Sequence, residues 1–245
     1  MAQVTNTPGA QCLTARIDAV LARIAGAAQD AGRDPGTVRL VLASKTRSPQ
    51  EIRTALEYLS GLGISPVTGE NRVQELAKHS DLADIPYELH MIGHLQRNKL
   101  SHAMRSCSMI HSLDRESLLT AVLRRHGEEP AATPSVLLQV NTSGEASKGG
   151  FAPEHELLAD AAGRLLEAGV PLRGLMTIGA RSADLGRVRA SLALLRQLRD
   201  ELALPEVREL SMGMSGDLEL AIAEGASLVR VGSAVFGPRT AQPGA

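Results

Sequence analysis

The 245-residue sequence contains no Trp, two Phe and two Tyr. Its core must therefore be built from Ala, Leu, Val, Ile and Met. Two cysteines occur, Cys12 and Cys107. They lack metal-type spacing and cannot form a disulfide framework, and they read as reduced thiols. The 26 Lys and Arg nearly balance the 27 Asp and Glu, for a net charge of −1. Neither end is strongly basic or acidic, so nothing provides an electrostatic grip on nucleic acid or an anionic membrane. No apolar run approaches the ~18 residues of a membrane-spanning helix. Met1–Ala10 is small and polar, without a charged-then-apolar export pattern, so a cytoplasmic location is expected. No GxGxxG turn follows the first strand, which counts against a doubly wound dinucleotide fold.

What is present is a repeated rhythm. Thr14–Gly32 reads as an amphipathic helix, with Ile17, Val20, Leu21 and Ile24 at helical spacing and Gly32 as its stop. Val38–Lys45 reads as a buried strand. Ser48-Pro49-Gln50-Glu51 then supplies a capping box with Pro in the first turn. Further strands are expected at Ile64–Thr68, Tyr87–Ile92, Ser108–Ser112, Ser135–Val140, Leu172–Ile178, Glu209–Met212 and Leu228–Val231. Helices are expected between them: after Asn71 through Lys78, after His94, from an Asp114 cap to His126, and over Pro153–Ala168, Leu185–Leu204 and Asp217–Glu224. Eight strands alternating with helices, in about this length, predict a single (β/α)8 TIM barrel with an extra N-terminal helix. One domain over 1–245 is expected, with 1–10 and 240–245 as flexible ends.

The polar residues that stand out fall at the C-terminal strand ends, the face where such barrels place their sites. They are Lys45, Asn71, His90, His94, His111, Asn141, Met176, Ser211, Ser215, Arg230, Gly232 and Ser233. A lysine held in an apolar site has a lowered pKa and forms Schiff bases with carbonyls. The plainer alternative pairs Lys45 with Glu70 or Asp217. Ser211–Asp217 joins a strand to a helix with small residues that admit a ligand, and helix N-terminal amides favour an anion. There the alternative is an ordinary cap by Ser215 or Asp217. Gly232 and Ser233 offer a second phosphate-type turn on the neighbouring strand. Strand eight closes against strand one in a barrel, so both turns would lie beside Lys45. A phosphate site next to a Schiff-base lysine points to pyridoxal 5'-phosphate. Arg230 would then donate to the pyridine nitrogen and, with its high pKa, leave it unprotonated. Its alternative is a surface salt bridge, which its apolar flanks disfavour. His90 and His94 have no third ligand at a fitting spacing, so a metal pair is not expected. Gln96–Lys99 reads as a solvated face, and Asn141–Gly150 as either a lid or a surface loop.

Several blocks together resemble the pyridoxal phosphate homeostasis protein family, relatives of the N-terminal barrel of alanine racemase. They are LVLASKTRS, GENRVQE, HMIGHLQRNK, HSLDR, LLQVNTSGEASKGG, LRGLMTIGA and ELSMGMSGDLELAIAEGASLVRVGSAVFG. The resemblance runs from Val38 to Gly237, and its last block is the most specific. It implies an internal Schiff base at Lys45 and phosphate contacts from Ser215, Gly232 and Ser233. It implies Arg230 at the pyridine nitrogen, with Asn71 and Met176 near the pocket. Two positions depart from the family pattern: Leu89 replaces an aromatic, and Thr68 a Phe.

The family lacks the second β-domain of the racemase and the tyrosine it supplies. Tyr58 and Tyr87 match no such position, so two-base racemisation has no second base. The resemblance therefore implies a cofactor carrier, without a catalytic residue of its own, that serves pyridoxal phosphate-dependent apoenzymes as a monomer. The alternatives are a pyridoxal phosphate-dependent racemase and a barrel for another phosphorylated ligand.

Overall fold

A computed structural model describes residues 8–238. The eight strands are β1 (Arg39–Ala43), β2 (Val67–Glu70), β3 (Glu88–Met91), β4 (Met109–Leu113), β5 (Ser135–Gln139), β6 (Leu172–Met176), β7 (Glu209–Ser211) and β8 (Leu228–Val231). All pair in parallel, in sequence order, and β8 returns to β1 through Arg39↔Leu228 and Val41↔Arg230. The expected (β/α)8 barrel is therefore closed.

The helices are α1 (Pro8–Asp30), α2 (Pro49–Gly61), α3 (Leu100–Ser106), α4 (Glu116–Glu128), α5 (His155–Glu167), α6 (Leu185–Leu202), α7 (Leu218–Ala223) and α8 (Ser233–Phe236). The additional helix α1 starts earlier than its periodicity suggests, and Pro8–Ala10 are helical. The remainder of the expected flexible ends, 1–7 and 240–245, lies outside the described residues. α1 ends at Gly32, whose φ is 66°, with the Arg33 amide donating back to the Ala28 carbonyl at 2.8 Å. This is the left-handed stop that glycine allows. Ile17, Val20 and Ile24 bury the inner face of α1, which packs on α2, α7 and α8. The capping box of α2 forms as expected: Ser48 Oγ accepts from the Glu51 amide, and Glu51 returns the bond to the Ser48 amide.

Three local expectations are corrected. β2 lies at Val67–Glu70, later than Ile64–Thr68, because Pro66 has no N–H for the ladder. The helix expected after Asn71 is a 3-10 segment instead, Val73–Leu82, whereas the one expected after His94 forms as α3, preceded by a 3-10 turn at Arg97–Lys99. Asp114 does not cap α4: its carboxylate holds His94 and Arg115, and the cap position is Arg115.

The barrel carries two apolar layers. The outer one, between strands and helices, holds most of the buried Leu, Ile and Val. The inner one is small: Val41, Val67, Ile92, Met109, Leu137, Met176 and Leu228. Side chains alternate across a strand with period two. His90 precedes Ile92 by two, His111 follows Met109 by two, and Arg230 follows Leu228 by two. These three polar residues therefore share the inward face with the apolar ones.

Candidate functional site

A cavity of about 500 Å³ opens at the C-terminal ends of β1, β7 and β8. Lys45, Ser215, Arg230, Gly232 and Ser233 all line it, together with Arg47 and Arg181. Among the described residues, four cationic side chains and no carboxylate line this space. Such a wall attracts an anion and costs a cation.

Each member is placed by its local chain. β1 ends at Ala43, so Lys45 lies beyond the strand in a turn, where Thr46 adopts a φ of 64°. The Ser44 amide still reaches the Gly69 carbonyl at 3.1 Å, so pairing to β2 continues to the threshold of Lys45. The residues flanking Lys45 are held from behind. Ser44 Oγ donates to Glu70 at 2.6 Å, Lys78 Nζ donates to the Ser44 carbonyl at 2.9 Å, and the Thr46 amide donates to Glu75 at 3.2 Å. Glu70, fully buried, is further bound by Lys78 and His79, both at 2.9 Å. Burial pushes the Glu70 carboxyl up, but hydrogen bonds from His79, Glu75 and Ser44 and the Lys78 charge hold it below the usual carboxylate range. Burial and contact with Glu70 push Glu75 up.

Ser215 does not cap α7 through its side chain. Its Oγ meets Ser233 Oγ at 3.2 Å and the Ala234 amide at 3.3 Å. Asp217 accepts from the Met214 amide and closes the loop on itself. A Cβ on Gly232 would stand 3.1 Å from the Ala43 carbonyl, so the absent side chain lets β8 and β1 meet closely beneath the cavity. Two hydroxyls thus converge between the β7 and β8 turns.

Arg230 is buried, which removes the surface-salt-bridge alternative. Its guanidinium donates to Ser211 Oγ at 2.5 Å and to the Thr177 carbonyl at 2.8 Å. Burial lowers its pKa to about 10, offset in part by Asp217. It remains a cation at neutral pH and cannot serve as a proton acceptor there.

The structure does not bring every candidate together. Asn71 lines a different cavity, with Arg72, Glu75 and His94; its Oδ1 is buried without a hydrogen-bond partner among the described residues. Met176 is fully buried in the inner layer below the mouth. His90 points into the barrel while His94 turns outward to Asp114, so the two histidines diverge. Asn141–Gly150 is fastened by its own bonds: Asn141 Nδ2 donates to the Glu145 and Lys148 carbonyls, and Lys148 Nζ reaches Glu145 and the Gly179 carbonyl. Arg47 and Arg181 escaped sequence reading, since an isolated arginine carries no pattern. The Glu70–Lys78–His79 cluster also escaped it, although acidic and basic residues at strand and turn positions offered a signal. Thr68, a departure from the family pattern, is fully buried and bonds Ser44 Oγ at 2.6 Å. Leu89 packs in the outer layer.

Residues 19–240 match the profile of the alanine racemase N-terminal domain. The sequence is 46% identical over 224 residues to a pyridoxal phosphate homeostasis protein of Pseudomonas aeruginosa, covering 90% of this chain and 93% of that one. The chain belongs to the pyridoxal phosphate homeostasis protein family. A second member, from Aquifex aeolicus, is 43% identical over 232 residues, covering 91% of this chain and 97% of its own. PipY of Synechococcus elongatus, solved with pyridoxal phosphate bound, superposes with a TM-score of 0.74 at 31% identity, covering 92% of this chain and all (100%) of that one. Alanine racemase from Acinetobacter baumannii shares the fold, with a TM-score of 0.66 at 15% identity, and this chain spans 61% of it. Homeostasis-family members thus share their barrel with a larger enzyme.

Proposed function

We propose that this chain binds pyridoxal 5'-phosphate covalently through Lys45 and serves its homeostasis, holding and releasing the cofactor without robust turnover. The observation that carries this reading is the single cavity that gathers Lys45, Arg230 and the Ser215–Gly232–Ser233 cradle under four positive charges. Its donor set fits the cofactor: hydroxyls for a phosphate, an amine for an aldehyde, and an arginine for a ring nitrogen. When bound, pyridoxal phosphate supplies an aldehyde that captures amines reversibly and a ring that withdraws electrons.

The roles of the chain's own residues follow. Ser215 and Ser233 orient the phosphate by hydrogen bonding, and Gly232 admits it; Arg47 and Arg181 add charge. Arg230 donates a hydrogen bond at the ring nitrogen and gives it no proton, which keeps the ring a weak electron sink. Met176 forms apolar floor beneath the mouth, while Asn71 lies in the neighbouring cavity. No residue of the cavity is assigned a catalytic role. The relatives named as homeostasis proteins support a carrier, and PipY with its bound cofactor supports the ligand.

Among the described residues, no helix is long and apolar enough to cross a membrane. On the carrier reading the chain is a cytoplasmic monomer that passes the cofactor to dependent apoenzymes. The deciding test is borohydride reduction of protein mixed with pyridoxal phosphate, followed by mass measurement of the Lys45 peptide. A pyridoxyl adduct on Lys45, absent from Lys45→Ala, is expected. An unmodified Lys45 overturns the proposal and favours another phosphorylated ligand. Racemisation of an amino acid that depends on Lys45 overturns the non-catalytic part.

A further inference from the structure

A line of polar side chains runs through the centre of the barrel, away from the cavity. From Arg230, Nη1 meets Ser211 Oγ at 2.5 Å. Ser211 Oγ meets His111 Nδ1 at 2.8 Å, and His111 Nε2 meets His90 Nδ1 at 3.0 Å. His90 Nε2 meets Glu88 Oε2 at 3.1 Å, and Glu88 Oε1 holds Arg39 at 2.6 Å. His90, His111 and Ser211 are fully buried. Glu88 and Arg39 stand at the opposite, N-terminal ends of β3 and β1.

The protons on this line have one consistent arrangement. Glu88, bonded by His90 and facing Arg39, is held down at about 2 and is an ionised acceptor at neutral pH. His90 must therefore donate from Nε2. Burial lowers the pKa of both histidines, so each ring is neutral with one N–H. Nδ1 of His90 is then a lone pair, and His111 must donate from Nε2; the reverse tautomer would set two lone pairs against each other. Nδ1 of His111 is in turn a lone pair, and the Ser211 hydroxyl must donate to it. That leaves the Ser211 oxygen facing Arg230 as an acceptor. Every donor points the same way, from Arg230 to Glu88, and bonds aligned in series polarise one another.

Arg230 needs this line. Among the described residues no carboxylate forms an ion pair with it, and an isolated buried cation is costly. Asp217 offsets part of that cost from a distance, and the line supplies an oriented neutral acceptor at Ser211. We infer that His111 is a positioning residue, acting through Ser211 to fix the Arg230 guanidinium toward the cavity, with His90 and Glu88 as its remote anchor. The consequence for the ligand rests on the proposed contact of Arg230 with the cofactor ring; the line itself does not.

Long-range 1H–15N correlation spectra of the unloaded protein at pH 7 test the line directly. Both His90 and His111 should carry the proton on Nε2, and an Nδ1 proton on His111 overturns the inference. The cofactor arm compares His111→Phe, which removes the acceptor, with His111→Asn, whose side-chain oxygen can stand where Nδ1 stood. His111→Phe should shift the near-visible absorbance of the loaded protein and weaken cofactor binding by up to about tenfold, the upper worth of a neutral hydrogen bond. His111→Asn should recover most of the wild-type spectrum. Wild-type spectrum and affinity in His111→Phe overturn the positioning role. Ser211→Ala, which cuts the same link with less loss of volume, replaces His111→Phe if that variant does not fold. A wild-type protein that forms no pyridoxyl adduct refutes the cofactor reading, while the histidine spectra still decide whether the line exists.

Discussion

Lys78→Met would remove the cation that ties Glu70 to the turn bearing Lys45. Lys78 Nζ lies 2.9 Å from Glu70 and 3.5 Å from Glu75, and donates to the Ser44 carbonyl at 2.9 Å. The Glu70 side chain is 0% exposed and that of Lys78 only 15%. Breaking a buried pair by deleting one partner costs about 3–5 kcal/mol. Glu70 keeps its bonds to His79 and Ser44, so the lower end, about 3 kcal/mol, applies. In a chain of this size that lowers Tm by about 6–12 °C. The pH dependence fixes the cause. In the wild type the folded Glu70 pKa is depressed, so its stabilisation is present above the unfolded carboxylate pKa and lost as pH falls through the folded value. Without Lys78, burial gains weight and the folded pKa rises, so acid relieves the charge. The gap in stability between variant and wild type should therefore narrow as pH falls from about 7 toward 4. Thermal and urea unfolding followed by circular dichroism measure both effects. Adding Glu70→Gln should restore most of the loss, because a neutral pair replaces an orphaned charge. A single variant within about 2 °C of wild type, or a double variant worse than Lys78→Met, would refute the reasoning.

Three further outcomes follow from the same structure. His90 and His111 have folded pKa values lowered by burial, so their neutral forms stabilise the fold above the unfolded value of about 6.5. Stability should fall below that pH with a slope approaching one proton from His111 alone, about 1.4 kcal/mol per unit, and steeper as His90 adds to it, in urea titrations between pH 5 and 7; a flat profile contradicts their neutrality. Burial pushes the Cys107 thiol up to about 12, whereas Cys12 is exposed. Iodoacetamide at pH 8 should label Cys12 alone in the native protein and both after denaturation, as read by intact mass. A Cβ on Gly174 would stand 2.0 Å from the Glu209 carbonyl oxygen, within the β6–β7 ladder. Gly174→Ala should cost about 3 kcal/mol, read as a lower urea midpoint, because backbone cannot step aside as a side chain can.

The sequence by itself determined the alternation of eight strands with helices, and hence the barrel, because each element carries its own apolar period and its own stop. It also determined the residue types at the mouth. Lys45, Ser215, Gly232 and Ser233 each follow an apolar strand and Arg230 lies within one, and barrel closure brings them to one cavity. Order along the chain becomes order around the barrel, so closure could be foreseen. Tertiary structure alone decided the rest. Pro66 and the β1 register moved β2 onto Glu70, which buried a carboxylate and recruited Lys78 and His79 to it. Asn71 went to a neighbouring cavity and Met176 to the barrel floor, because each side chain's depth depends on where its strand ends relative to its neighbours. The interior line from Arg230 to Glu88 joins four strands, and only inward-facing residues brought into register across them can form it. Periodicity reports which face a residue takes along one strand. The distance between two such residues on different strands is set by the twist and stagger of the closed sheet.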